Sequence, residues 1–321
     1  MCRIATNMNQ TLQKTFFSRR FMAPLLSVMS VCIPLSLNAQ TYGWSENYGS
    51  INLGQGNSAI VSANTQAIAN NACAPTAVAM GLDYLYSEDP VSFASNPDGY
   101  GTVNQLITAM GTTSAGTTGG GVTTGLGTYS TVDNLAADYF TYSQNTVTSP
   151  TAMAATIGNL NTSLQALQLG ILWTGTPVSG AVTSGNDGGH FVSVTGVNLT
   201  VSGSTVTGTI TVLDPWGLGA SSAPHNAATS AATQTLTVTT DTLNGGATVL
   251  EVTGWTPVGN QPFDQTANDG TGAADYGFAQ ADYGYIAFDE IESIPEPSTM
   301  ALLLTPLGAG LLRLLRKNRT A

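Results

Sequence analysis

The chain has 321 residues, 42% of them hydrophobic, with 19 acidic side chains against 8 basic ones and a formal net charge of −11. That hydrophobic fraction supports a packed core and excludes disorder along the whole length. The eight Lys and Arg lie only at the ends, at Arg3, Lys14, Arg19 and Arg20, then at Arg313, Arg316, Lys317 and Arg319, whereas every acidic residue falls between Glu46 and Glu296. The body therefore repels nucleic acid, which is excluded as a partner.

Residues 1–39 read as a secretory signal: Arg19 and Arg20 precede the apolar run Phe21–Leu37, and Ala39 is the small residue before a cleavage point at Gln40. The run is short and broken by Pro24 and Pro34, which argues against a span that stays in the membrane. Cleavage removes Cys2 and Cys32 and leaves Cys73 as the single cysteine. No internal disulfide is then available, and an unpaired thiol in an exported chain points to reactive-thiol chemistry.

From Tyr42 to Asn64 the sequence is polar and turn-rich, and is expected to wrap the surface. In the stretch Gln66–Tyr86, Pro75 suits a first helical turn and Val78, Leu82 and Leu85 recur at near-helical spacing. This places Cys73 at or just before a helix N-terminus, where exposed amides stabilise a thiolate.

The order Cys73, Ala74, Pro75, Thr76, Ala77 resembles the Cys-Gly-Pro-Thr-Ala segment of papain-like cysteine peptidases, in the branch related to bacteriocin-processing, double-glycine peptidases. The resemblance implies that Cys73 is the nucleophile and that an upstream Gln joins the Cys backbone N–H in stabilising the oxyanion. Ala74 departs from the usual Gly. Gln66 lies seven residues upstream where six is usual, and Asn70 and Asn71 are alternatives for its role.

Residues 87–102 read as a loop, Val103–Met110 as a short helix, and the Gly- and Thr-rich run Gly111–Thr128 as an inserted mobile loop. Thr131–Thr141 and Pro150–Leu169 have helical character, the second closed by Gly170, and Ile171–Trp173 makes a short strand.

Residues 188–198 alternate in the β manner, with His190, Val192 and Val194 on one face. A second strand, Thr205–Leu213, follows Ser202-Gly203 and ends in Asp214-Pro215-Trp216. A three-residue loop, Val201–Gly203, sets Asp214 directly opposite His190, whereas a two-residue loop shifts the pairing by one. The first register is preferred because it gathers imidazole and carboxylate on one face, as a Cys–His–Asp site requires. Gly-Gly-His-Phe-Val-Ser-Val-Thr-Gly and Asp-Pro-Trp also resemble the His and Asp segments of the same peptidase branch.

His225 falls in a polar loop without a strand pattern and reads as a surface residue. Two histidines and one cysteine give no zinc-ligand spacing, and Asp264, Asp269, Asp275 and Asp282 lack that of a calcium loop, so neither metal nor cofactor is expected. Further strands are expected at Gln234–Thr239, Ala247–Val252 and Tyr285–Phe288, and the echo ADYGF/ADYGY before the last reads as strand packing.

At the far end Pro295, Glu296 and Pro297, the apolar segment Met300–Leu312 and the basic tail from Arg313 resemble the PEP-CTERM sorting signal of Gram-negative bacteria. The resemblance implies recognition by an exosortase, removal of the tail and a setting of exopolysaccharide or biofilm. Until processed, the segment would hold the chain in the membrane with its body outside.

The expected organisation is thus a signal at 1–39, a papain-like α+β domain at 40–292 and a sorting signal at 293–321. In that domain an N-terminal helix bearing Cys73 packs on an antiparallel sheet bearing His190 and Asp214. The expected function is an exported cysteine peptidase acting on peptide or protein, with Cys73, His190, Asp214 and Gln66 as its site. Acyl transfer or deamidation by the same triad, and a non-catalytic surface or matrix role, are the alternatives.

Overall fold

The structure, a computed structural model, describes residues 39–90, 93, 96–132, 141–146, 149–160, 164–173, 189–217, 227–243, 245–255 and 283–294. Helices dominate the first half: after strand β1 (Gln40–Ser45) come α1 (Ser58–Ala63), α2 (Gln66–Ala69), α3 (Cys73–Glu88), α4 (Tyr100–Ala109) and α5 (Gly119–Val132). Strand β2 (Thr141–Thr146) and helix α6 (Pro150–Gly158) lead into β3 (Gln165–Trp173), β4 (Gly189–Ser202), β5 (Thr205–Asp214), β6 (Ala232–Thr242), β7 (Thr248–Thr253) and β8 (Tyr283–Ser293). The mixture of helices with an antiparallel sheet is the α+β class expected.

Every strand pairing is antiparallel. The sheet runs β1-β4-β3-β8-β7-β6-β5, and a further β4–β5 pairing joins the ends of the six-strand path from β4 to β5. The six strands β3 to β8 therefore close into a barrel, with β1 beside β4 and β2 beside β8. Closure removes the unpaired edges that an open sheet would present.

Alternation along the strands divides the apolar residues between two cores. One is the barrel interior, where Leu167, Leu169, Val192, Val194, Ile210 and Leu236 meet Met153 and Ile157 of α6. The other lies outside the barrel, where α3 packs on Phe191, Leu213 and Ala166. Helix α3 is buried from Ala74 to Leu82, and Ser193 of β4 donates its hydroxyl to the Ala77 carbonyl at 2.6 Å. Small residues at Ala74, Ala77, Ala79 and Gly81 allow that close approach.

Several expectations are corrected. The helix expected over Pro150–Leu169 ends at Gly158, and its last part, from Gln165 to Leu169, belongs to strand β3. Leu167, Leu169 and Ile171 satisfy the strand alternation that lines the barrel, and burial there outweighs helical spacing. Gly170 is consequently a mid-strand residue, where a Cβ would collide with the Phe288 ring, and not a helix terminator. The Gly/Thr-rich run expected as a loop contains most of α5, because Gly121 and Gly125 let that helix settle against Met110. Of the helix expected over Thr131–Thr141, Thr131 and Val132 close α5 and Thr141 begins strand β2, while residues 133–140 lie outside the described residues. The last strand is longer than Tyr285–Phe288: β8 reaches Ser293, and the Ile294 N–H donates to the Leu164 carbonyl at 2.8 Å.

The segment read as a surface wrap, Tyr42–Asn64, contains β1 and α1. Both terminal signals, His225 and the four aspartates from Asp264 to Asp282 lie outside the described residues. Among those residues, no helix is long and apolar enough to cross a membrane.

The Gly170 contact yields a test of the barrel. Gly170→Ala should cost about 1–3 kcal/mol through overpacking against Phe288, read as a lower melting temperature; an unchanged temperature would show that the two strands do not meet there.

Candidate active site

Cys73 is the first residue of α3 and is partly exposed, while Ala74, Pro75 and Thr76 behind it are buried. The preceding Ala72 offers no side-chain cap, and its carbonyl accepts from both the Thr76 N–H, at 3.1 Å, and the Thr76 hydroxyl, at 2.7 Å. The first N–H groups of a helix have no intrahelical acceptor, so the Cys73 and Ala74 amides are not spent within α3.

The β4–β5 hairpin brings the other two residues together, by a different register from the one expected. Its loop has two residues, Gly203 and Ser204, since Ser202 pairs with Thr205, and Gly203 takes the positive φ of 62° that the tight turn needs. Continued unchanged, that register would set Asp214 opposite Ser193, on the face that packs on α3. A bulge at Thr195 intervenes, so that Val194 pairs with Val212 and Ser193 with Leu213. One extra residue reverses the alternation. Asp214 thereby joins the face of Val192 and His190, diagonal to His190 and not directly opposite it.

The His190 Nε2 and Asp214 Oδ1 atoms are 2.7 Å apart, and both residues are buried. Asp214 also accepts from the Trp216 N–H at 2.9 Å, through Oδ1, and from the Gln234 amide at 2.8 Å, through Oδ2. The first bond closes a turn over Pro215 and the second comes from β6, so the carboxylate is held from three sides. Cys73 also lies close enough to His190 to favour its charged form. With Nε2 engaged by Asp214, Nδ1 is the nitrogen left for the thiol. Trp255 stands edge-on to the imidazole at 6.2 Å between ring centres.

These contacts set the charge on His190. Burial by itself draws the imidazole pKa down, but the charge and hydrogen bond of Asp214, with the contact to Cys73, override it and push it up to about 10. The imidazole is thus an imidazolium at neutral pH, beside the thiol.

Gln66 opens α2, and its amide donates to Asn70 Oδ1 at 2.8 Å. Asn70 Oδ1 also accepts from the Ala227 N–H at 3.3 Å, and the Asn71 amide is spent on the Ala67 carbonyl at 2.9 Å. The alternatives Asn70 and Asn71 are thus engaged in bracing the approach to α3.

Two site residues were not anticipated. Gln55 is fully buried; its amide donates to the Asn70 carbonyl at 2.7 Å and its own N–H to the Pro215 carbonyl at 2.9 Å, which ties the Cys73 side of the site to the Asp214 side. Its signal in the sequence is its flanking pair, Gly54 and Gly56, where any Cβ would strike the backbone of Ala227–Ser230. Gln234 is legible as a polar residue at an inward position of a strand whose neighbouring inward positions hold Leu236 and Val238.

Among the described residues, no group of three or more His, Cys, Asp or Glu side chains is placed to hold a metal. The arrangement offers a thiol, an imidazolium and an orienting carboxylate in sequence, with free helix amides at the sulfur. That set suits nucleophilic attack on a carbonyl.

Residues 58–237 match the model of a family described as Peptidase_C39 like family, a span of more than half the chain that includes Gln66, Cys73, His190 and Asp214. No curated protein and no solved structure matches the chain.

The raised His190 pKa carries a pH signature. Its folded value lies above the ordinary ~6.5, so the stabilisation it brings is complete below that pH and is lost as pH rises through about 10. Asp214→Asn should therefore melt lower than the wild type at pH 7.5, by about 10 °C if breaking the buried pair costs ~3–5 kcal/mol. The gap should narrow above pH 10, and a gap that stays constant from pH 6 to 10.5 would contradict the assignment.

Proposed function

This chain belongs to the Peptidase_C39 like family, and we propose that it is an exported cysteine peptidase working through Cys73, His190 and Asp214. Family membership carries a cysteine peptidase-type function with peptide or protein as the substrate class. The triad rests chiefly on one observation: His190, 2.7 Å from Asp214, also contacts a cysteine at a helix N-terminus.

In the proposed cycle the Cys73 thiolate attacks the scissile carbonyl carbon, forming the C–S bond and pushing the carbonyl electrons onto oxygen. The Cys73 N–H donates to that oxyanion, together with a side-chain amide. His190 gives its proton to the departing amide nitrogen as the C–N bond breaks, leaving a thioester. Water then attacks the thioester, His190 takes its proton, and the tetrahedral species expels the thiolate to release the acid. Asp214 holds the ring in place and offsets its charge throughout. An amine in place of water would make the same enzyme a transferase, and analysis of products with added amine distinguishes the two.

Gln66 and Gln55 compete for the side-chain oxyanion role. Each gives one N–H to Asn70, to its side chain and its carbonyl respectively, and keeps a second for substrate. The export part of the proposal rests on the amino-terminal signal, on Pro295-Glu296-Pro297 with the apolar and basic segments behind it, and on the confinement of Lys and Arg to the two ends. It places the body outside the cytoplasm of a Gram-negative bacterium, with transient membrane anchoring and an exosortase-type partner.

Two measurements test this reading. A peptidyl chloromethyl ketone should modify the wild type once, at Cys73, with alkylation on the order of 100-fold slower in His190→Ala and absent in Cys73→Ala. Equal rates in the wild type and His190→Ala would overturn the triad. Replacing the true side-chain donor, Gln55→Ala or Gln66→Ala, should lower kcat by about 100-fold with little change in KM. Less than a threefold effect in both would leave the oxyanion to backbone amides alone.

A further inference from the structure

Strand β8 carries Glu290 and Glu292 on the face that packs beneath α3, and both are fully buried. Burial of two carboxylates ordinarily demands partners. Between Phe21 and Leu312 the chain contains no Lys or Arg, and His190 is already paired with Asp214. None of the four carboxylate oxygens of Glu290 and Glu292 reaches hydrogen-bond geometry with any described residue. The two groups therefore do not share a proton through a short carboxyl–carboxylate bond, which would bring oxygens within about 2.7 Å.

A third polar group on the same face is equally unsatisfied. Gln168 of β3 is the cross-strand partner of Glu290, is fully buried, and has no hydrogen-bond partner for either amide atom among the described residues. It lies close enough to Glu292 to steady a negative charge there, without meeting hydrogen-bond geometry. The Gln168 amide and a Glu292 oxygen both enter the space that a Cβ on Gly81 of α3 would fill. The glycine leaves a gap under the helix that polar groups occupy. Rotating the amide by half a turn exchanges its nitrogen for its oxygen.

From these placements we propose that Glu290, Glu292 and Gln168 form a buried site for a divalent cation of the calcium class, which ties the nucleophile-bearing helix α3 to the last strand of the barrel. With the Gln168 amide turned, the donor set is two carboxylates and one amide carbonyl, and oxygen ligands of this kind are those a hard cation takes. The cation supplies the positive charge that the body of the chain lacks. Gln144 of β2, on the other side of Glu290, gives one N–H to the Gly119 carbonyl and accepts from Thr123, and is close enough to steady a negative charge on Glu290.

The test uses the full chain, stripped with a chelator and kept at pH 7.5. Calorimetric titration with calcium chloride should show one site per chain, and saturating calcium should raise the melting temperature by about 5 °C or more. Glu290→Gln/Glu292→Gln, which keeps side-chain size, should fold and lose both the binding heat and the shift; if the double variant fails to fold, Glu292→Gln alone serves. Titration without binding heat, or identical melting with and without calcium, would overturn the proposal in favour of carboxyls held neutral by protons. A calcium shift that survives the substitutions would also overturn it, by placing the cation elsewhere. Neither result depends on peptidase activity.

Discussion

The hydrogen bond between the His190 imidazolium and the Asp214 carboxylate, at 2.7 Å, is the contact that the rest of this site depends on. It is the only ion pair among the described residues, in a body where Lys and Arg are absent between Phe21 and Leu312. Without the carboxylate, burial would favour the neutral imidazole. Gln234, the Trp216 amide and the turn over Pro215 all act on Asp214, and through it on the ring that faces Cys73.

The fold sets that contact at a boundary between two cores. His190 and Asp214 belong to the face of β4 and β5 that lines the barrel, while Phe191, Ser193 and Leu213 belong to the face that holds α3. Consecutive residues of two strands thus secure His190 with Asp214 and the helix that carries Cys73. Helix α3 arrives with its N-terminus at the barrel rim, and Gln55 ties the loop before it to the Pro215 carbonyl. Displacement of either core would change the distance from sulfur to imidazole, so packing and chemistry are linked through a few residues.

Much of this was legible in the sequence. Pro75 and the apolar spacing behind it locate the start of α3, and the alternation around His190 identifies β4, because local sterics and burial act together there. The hairpin register was not legible: the two-residue loop and the bulge at Thr195 shift the pairing in ways that loop length alone cannot specify, although together they preserve the shared face. Strand β3 reads as helix because Leu164 and Leu167 continue the three- and four-residue spacing of Ile157 and Leu160, whereas the barrel selects the two-residue spacing of Leu167, Leu169 and Ile171. Helix α5 reads as loop because glycine is a poor helix former, and its fit against Met110 explains why it is helical. The role of Gln55 is not legible in the sequence because it arises from contacts with Asn70 and Pro215, distant along the chain.

The central claim is that Asp214 keeps His190 charged beside Cys73 at neutral pH. Nitrogen-15 NMR titration of the two imidazoles, assigned with His225→Ala, measures it directly. The account predicts that His190 stays protonated until the pH approaches about 10, and that it titrates far lower in Asp214→Asn. A His190 that loses its proton near the ordinary ~6.5 in the wild type would contradict it.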